Sequence, residues 1–500
     1  MFIGIDLGTS SVKAVLVDRN GEVRASASAA LTLSQPQPRW SEQDPAAWWQ
    51  ATLDSVDALL GEAKKLGLAA SAIAGIGLSG QMHGATLLDA DDNVLRPAIL
   101  WNDGRCDIEC AELEQVPNFR AITGNLAMPG FTAPKLLWVR KHEPRIFERI
   151  AKVLLPKDYL RLKLTGDYAS DMSDAAGTLW LDVGKRAWSD EMLHACGLNR
   201  EQMPSLHEGN QITGRLRGEL AERWGIARVP VAAGGGDNAA GAVGVGIVKP
   251  GQAMLSLGTS GVFFAVSDGF LSRPAQAVHS FCHALPNTWH LMSVMLNAAS
   301  CLDFTARLTA YENVPALLGD AQASNAIHGS SPFFLPYLSG ERTPHNDSHA
   351  RGAFVGLSGS TQRADLANAT LEGVGFGLLD GLLAVEAAGL VSDEITVIGG
   401  GSRSAYWIQM LADILGKPLQ QRSGGDVGPA LGAARLAHLA VEQGAMLDEV
   451  CPAPSLVANF IPVASRRAFY REQRYPLFQK LYPQLHPLFA GAETGADSVN

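Results

Sequence analysis

The 500-residue chain carries 40 lysines and arginines against 50 aspartates and glutamates, a net charge of −10 with a pI of about 5.7, which speaks against a nucleic-acid or membrane-surface partner. No apolar run approaches about 18 residues and Met1 leads straight into FIGIDL without a basic leader, so a cytoplasmic protein is expected, neither exported nor membrane-spanning. At roughly 100 to 200 residues per domain the length implies two to four domains, and six cysteines without zinc or redox spacing imply a reducing compartment.

In chain order, Phe2 to Leu7 reads as a strand, Gly8 to Ser11 as a turn and Val12 to Asp18 as a second strand. Asn20 and Gly21 supply a hairpin turn before a third strand, Glu22 to Leu33. The turn in GIDLGTSSVK offers backbone amides and hydroxyls from Gly8, Thr9, Ser10 and Ser11, with Asp6 before it and Lys13 after it. Such a turn can hold a phosphate with Asp6 facing a magnesium ion, although many hairpins contain Gly and Thr. Asp44 to Glu62 reads as a helix with apolar and Trp positions facing a core. Ile99 to Arg105 reads as a strand ending in polar residues. Within Thr123 to Arg140, GFTAPKLLWVR is a loop leading into a helix, and Asp158 to Leu181 reads as loop and strand near a cleft.

The stretch from Val229 holds the clearest candidate for chemistry. A β-prone run, Val229 to Ala233, stops at Gly234, Gly235 and Gly236, and Asp237 follows at the strand's carboxyl end, where open α/β sheets bind ligands. The plainer alternative is an Asp that only caps the small-residue helix Asn238 to Val245. Farther on, Gln362 to Gly389 is a long helix, SGGDVGP a glycine turn, and Gly428 to Val441 a buried helix. Residues 441–490 read as a helical extension, and the last ten residues as a disordered tail.

An internal repeat raises the weight of the first turn. MLSLGTSGVFFAV at Met254 to Val266 matches IDLGTSSVKAVLV at Ile5 to Val17, with Ser256 where the first copy has Asp6. AIAGIGLSGQMHGATLL at Ala72 to Leu88 resembles EITVIGGGSRSAYWIQML at Glu394 to Leu411, each a strand running into a glycine turn. Two duplicated α/β domains facing a shared cleft are expected. GIGLSG and GGGDNA satisfy the dinucleotide GxGxxG/A pattern, but neither has an acid about 20 residues on to bind a ribose. No GxxxxGK[ST] loop exists. His279 and His283, read as one helical turn apart, lack further zinc ligands and are expected to be structural; His83, in the QMHG turn, is equally open to a ligand role or a core role.

Taken together, GIDLGTS, RWSEQDP, SGQMHGATLLD, LRPAILWNDGR, ITGNLAMPGFTAPKLLW, LLPKDYLRLKLTG, ASDMSDAAGT, AGGGDNAAGAVGVG, SLGTSGV, LPYLSGERTPH and GGDVGPALGAARLA resemble the FGGY carbohydrate kinases along nearly the whole chain. Gly130 to His142 fits the family's first signature and Gly352 to Glu372 its second. The resemblance implies two ribonuclease-H-like domains of the actin, Hsp70 and hexokinase type, residues 1–249 binding sugar and 250–440 binding ATP. It implies Asp237 as general base and Asp6 as the acid near Mg2+, with both as candidate metal ligands. Met82, His83, Asn238 and Asp237 would contact the sugar. Thr9, Ser10, Lys13, Gly258, Thr259, Gly400 and Gly401 would lie on the nucleotide side. Departures are small: Ser11 stands where Gly is usual, and a short insertion falls near Leu66 to Ser71.

The implied reaction is transfer of the ATP γ-phosphoryl group to a ketose, with QMHG and WNDGR favouring xylulose over ribulose, glycerol or gluconate. A non-catalytic ATP-switched sugar sensor shares the domain pair but would not be expected to carry an acid at Asp237. The expected partners are the sugar and ATP, a homodimer is compatible, and the halves are expected to close about a hinge near Ile247 to Gln252.

Overall fold

The computed structural model describes residues 1–324, 327–423 and 428–490; the expected tail at 491–500 and positions 424–427 of the SGGDVGP turn lie outside them. Strands β1 (Phe2–Leu7) and β2 (Ser11–Val17) form an antiparallel hairpin in which Asp6 lies opposite Lys13. Strand β3 (Gly75–Gly80) runs parallel to β1 on its other side, placing Gly77 opposite Gly4 and Ser79 opposite Asp6. Val23–Ala30 pairs outside β2, and Pro230–Ala232 and Ile212–Arg215 extend the sheet beyond β3. GIGLSG, which mimics a dinucleotide loop, is therefore the buried strand β3 itself.

The second half repeats the plan. Strands β4 (Ala253–Leu257) and β5 (Gly261–Ser267) form the second LGTS hairpin, and β6 (Ile395–Ile398) runs parallel to β4 as β3 does to β1. Trp289–Met295 and His279–Cys282 continue beyond β5, and Leu419–Arg422 and Leu456–Phe460 beyond β6. The region after 441, expected to be helical, thus also supplies an edge strand.

Strand alternation tells each sheet which face is which. In β1, Ile3, Ile5 and Leu7 share a core with Trp48 and Val56 of helix Pro45–Lys65. Phe2, Gly4 and Asp6 point the other way. In β4, Leu255 and Leu257 pack with Leu371 and Leu378 of helix Arg363–Ala387, while Met254 and Ser256 face the other half.

Two helices that pack on each other pass between the halves. Helix α1 (Asp237–Gly244) leaves the first sheet, and Ala242, Val245 and Ile247 join one core with Met254, Phe264 and Val266 of the second. Helix α2 (Gly428–Val441) leaves the second sheet, and Ala430, Leu431, Ala434 and Ala437 pack with Phe2, Val15 and Ala232 of the first. The fit has no room for a side chain: a Cβ on Gly4 would stand 1.9 Å from Ala430 O, and one on Gly77 1.9 Å from Ala433 O. The two glycines paired in register across β1 and β3 exist to admit α2. The architecture is two ribonuclease-H-like domains of one duplicated design.

Three local expectations give way. Of ILWNDGR only Ile99 is strand, as the end of Ala98–Ile99. The chain then turns, Asp103 N donating to Leu100 O at 3.2 Å, and the Asp103 carboxylate accepts from Ser41 N and the Arg105 guanidinium. Asp158 to Leu181 contains the expected strand at Ala169–Asp171, but in place of loop it holds most of helix Pro156–Thr165, started by Pro at its first position, and the short helix Met172–Ala176; Asp158, Asp171 and Asp174 pair with Lys157 in the interior. His279 lies on a strand, not on a helical turn with His283. Among the described residues no helix is long and apolar enough to cross a membrane, and all six cysteines are free and buried.

Candidate active site

Asp237 is the first residue of α1, with Gly236 in the capping position, so it does not merely cap a helix that begins after it. Its Oδ1 accepts from Asn238 N at 2.7 Å and from Asn238 Nδ2 at 3.0 Å. Burial, and then the neighbouring Asp6 carboxylate, push the Asp237 carboxyl up to about 7 against those two bonds. Burial lifts Asp6 to about 6, opposed by Ser79 and Lys13. Ser79 acts from nearby without a completed bond, because neither its hydroxyl nor Asp6 Oδ1 has a hydrogen-bond partner among the described residues. Two carboxylates lifted by burial, one of which also raises the other's proton affinity and carries an orphaned oxygen, suit a cation beside them.

The glycine turn that carries Asp237 is held from behind by buried charges. Arg161 donates from Nη1 to Ala232 O at 2.9 Å and from Nη2 to Ala233 O at 2.5 Å. Asp171 accepts from Ser173 N at 2.7 Å and from the Ser173 hydroxyl, whose oxygen in turn accepts from Gly236 N at 3.1 Å. Lys157 binds Asp171 at 2.8 Å and Asp174 at 3.3 Å, and all three side chains are inaccessible to solvent. Burial, which favours the proton, holds the Asp174 carboxyl well above its usual range. These bonds from Arg161 and Ser173 fasten the backbone path into Asp237.

Met82 and His83 follow β3. His83 has left-handed φ, +69°, and its carbonyl accepts from Lys135 Nζ at 2.8 Å and Thr132 Oγ1 at 3.2 Å. Burial, then the Lys135 ammonium, lowers the imidazole to about 3, so it is neutral. Nδ1 lies 2.8 Å from Gly177 O, which assigns the proton to Nδ1 and leaves Nε2 an acceptor. A Cβ on Gly177 would fall 2.5 Å from the His83 ring. Gly177→Ala is therefore expected to displace the imidazole and raise the KM for the sugar about tenfold or more, with the KM for ATP little changed; initial-rate kinetics in both substrates check this.

These residues meet in one cavity of about 270 Å3. Met82, His83, Asp237 and Asn238 line it from the first half, together with Trp101 and Phe131. The second half contributes Ser260, Val262, His279, Phe281 and Arg342. The sugar site expected on the first half thus has a wall from the second sheet, whose alternate residues Val262, Met292 and Val294 turn inward. Trp101, Phe131, His279 and Arg342 were not anticipated. Trp101 sits in the WNDGR stretch, but the strand expected there hid its position.

The nucleotide-side candidates fall in two places. Gly258 and Thr259 form the turn between β4 and β5, tied down by Ala298 N to Thr259 O at 2.8 Å and Ala299 N to Gly258 O at 2.9 Å. Gly400 and Gly401 follow β6 beside it: a Cβ on Gly401 would press Leu257 at 2.9 Å, while one on Gly400 would meet open space. Both turns lie at the carboxyl ends of adjacent parallel strands, β4 and β6. Of the first turn, Ser10 is exposed and Lys13 faces Asp6 across the hairpin. The Thr9 hydroxyl is already engaged, donating to Gln81 Oε1 at 2.9 Å and accepting from Trp101 Nε1 at 3.0 Å. Its contribution is to hold Trp101 over the cavity, and any phosphate contact from Thr9 is left to its backbone.

A duplicated actin-type fold with an acid in the cleft and paired glycine turns opposite it defines a class of phosphotransferases. The chain belongs to the FGGY family of carbohydrate kinases: the family's N-terminal domain matches residues 1–244 and its C-terminal domain residues 253–441. It is 61% identical over 492 residues to the xylulose kinase of Escherichia coli K12, covering 98% of this chain and 100% of that protein. It is 58% identical to the xylulose kinase of Klebsiella pneumoniae, with the same coverage. The crystal structure of xylulose kinase from Rhodospirillum rubrum superposes with a TM-score of 0.90 at 31% identity, over 98% of this chain and 99% of that one.

Proposed function

We propose that the protein phosphorylates D-xylulose with ATP, yielding D-xylulose 5-phosphate and ADP in the cytoplasm. The observation that carries the proposal is the placement of Asp237: a buried carboxyl poised near neutral pH, in the wall of a sugar-sized cavity that reaches the Gly258–Ser260 turn. The names of the relatives at 61% and 58% identity support xylulose as the acceptor.

Asp237 takes the proton of the attacking sugar hydroxyl, a role worth about 10²- to 10⁴-fold in rate. The two Asn238 bonds on Oδ1 leave Oδ2 for that hydroxyl. His83, with Nδ1 committed to Gly177 O, accepts from a second hydroxyl at Nε2. The Gly258–Thr259 turn faces the phosphates, and Gly400, where a Cβ would meet open space, leaves room for the nucleoside, with Gly401 packed beside it on Leu257. Asp6, and Asp237 beside it, fit magnesium by the donor chemistry described above. No cluster of three or more metal-binding side chains is present among the described residues, in keeping with an ion held by one or two carboxylates and the phosphates themselves. When bound, magnesium would neutralise charge on the phosphate oxygens.

A coupled assay of ADP release against D-xylulose, D-ribulose, glycerol and gluconate tests the reading. D-xylulose is expected to give the highest kcat/KM, by at least about tenfold over the others; a higher value for any of the other three would replace it as the acceptor.

A further inference from the structure

One charged group in the cavity is not used by the transfer proposed above. Arg342 comes from a loop sewn to the end of strand Trp289–Met295. Glu341 Oε1 accepts from Arg342 N at 2.7 Å and from Leu296 N at 3.0 Å. The Thr343 hydroxyl accepts from Val294 N at 3.1 Å and donates to Ala277 O at 2.9 Å. With its backbone pinned on both sides, Arg342 turns its guanidinium into the cavity, where Nη1 stands 3.5 Å from Nε2 of His279.

No carboxylate among the described residues forms an ion pair with that guanidinium. The adjacent Glu341 gives Oε1 to backbone amides, and burial pushes its carboxyl up to about 8, so it is uncharged at neutral pH. Burial lowers the Arg342 guanidinium's pKa and only the adjacent Glu341 opposes it; drawn from water without an ion pair, such a group is costly unless a ligand oxygen completes it.

Its surroundings in the cavity are set by ring contacts. Arg342 lies against His279, whose ring packs on Phe131 and Phe281, and both of those pack on His83. Asp237 lines the same cavity from the first half and Arg342 from the second. A sugar whose terminal hydroxyl is offered to Asp237 also meets the guanidinium on the second-half wall.

We propose that Arg342 is a specificity-determining residue that reads the α-hydroxyketone end of the acceptor, donating to the carbonyl oxygen and its neighbouring hydroxyl. The proposal rests on the kinase reading of the cavity. An α-hydroxyketone can present two oxygens in one plane, matching the flat fork of a guanidinium; reduction of the carbonyl to a carbinol turns one of them out of that plane. The neutral imidazoles beside it accept protons and cannot supply this donor pair.

The test compares kcat/KM for D-xylulose with that for its two C2-reduced polyols, in wild type, Arg342→Met and Arg342→Lys, with calorimetric titration of D-xylulose into each protein. Arg342→Met is expected to weaken D-xylulose binding and kcat/KM by about 10- to 100-fold, mainly through KM, and to shrink the ketose-to-polyol ratio by a similar factor. Arg342→Lys keeps the charge and loses the fork, so part of the binding returns but not the ratio. An unchanged ratio in a folded Arg342→Met protein overturns the proposal. If Arg342→Met loses its near-ultraviolet dichroism, the lysine variant decides, and retention of the full wild-type ratio there overturns it. Failure of the wild type to phosphorylate D-xylulose at all would instead defeat the kinase reading.

Discussion

Replacing Asp237 with asparagine is expected to lower turnover on D-xylulose by at least about 10²-fold while leaving the fold and ATP binding in place. The substitution preserves shape and removes the carboxylate that takes the hydroxyl proton. The electrostatics add a second readout. With the carboxyl raised to about 7, wild-type kcat/KM should climb as pH rises through that value, and this limb should vanish in the residual activity of Asp237→Asn. Stability should move the opposite way. A carboxyl whose proton is held more tightly in the folded state stabilises it below the ordinary carboxylate range, and that contribution is lost as pH rises through about 7. Asp237→Asn, uncharged throughout, should therefore melt above the wild type, with the gap widening from pH 6 to 8. Wild-type turnover in the variant, or a pH-independent difference in Tm, would remove Asp237 from the proposed role.

The second large effect is expected from Asp6→Ala. Turnover should fall by about 10²-fold or more, with the magnesium concentration for half-maximal rate shifted upward and D-xylulose binding by calorimetry little altered. Because Asp6 is the largest charged influence on Asp237, its removal should also shift the rising limb of the residual activity to lower pH. A sharp loss of sugar affinity with ordinary magnesium dependence would show that Asp6 acts on the sugar instead.

Much of this was legible in the residues. The LGTS hairpins and their parallel partners were readable because turn glycines and strand alternation are local signals. Asp237 was visible as an acid stranded after three glycines. What was hidden depends on pairing between distant segments. The polar run from Lys157 to Asp174 looks like a solvated loop until its charges find one another in the interior. His279 looks idle until the sheet turns it inward, and Arg342 reaches the cavity only because Thr343 stitches its loop to a strand some fifty residues earlier.

The exchange of α1 and α2 ties the two halves together in a way that a domain boundary near residue 250 conceals. The first sheet is roofed by a helix that the other half's chain segment provides: the Gly4 and Gly77 floor is fitted to a helix encoded more than 350 positions later. A chain cut at the junction would yield an amino-terminal piece with a bare, glycine-paved face, open to water on the side that bears Asp6. Neither piece is a small kinase awaiting its partner. The repeat is inherited as two copies but survives only as one knot of mutual cover, so insertions, circular permutations or fusions that separate 428–441 from the first sheet would undo the catalytic acid's surroundings before touching any catalytic residue.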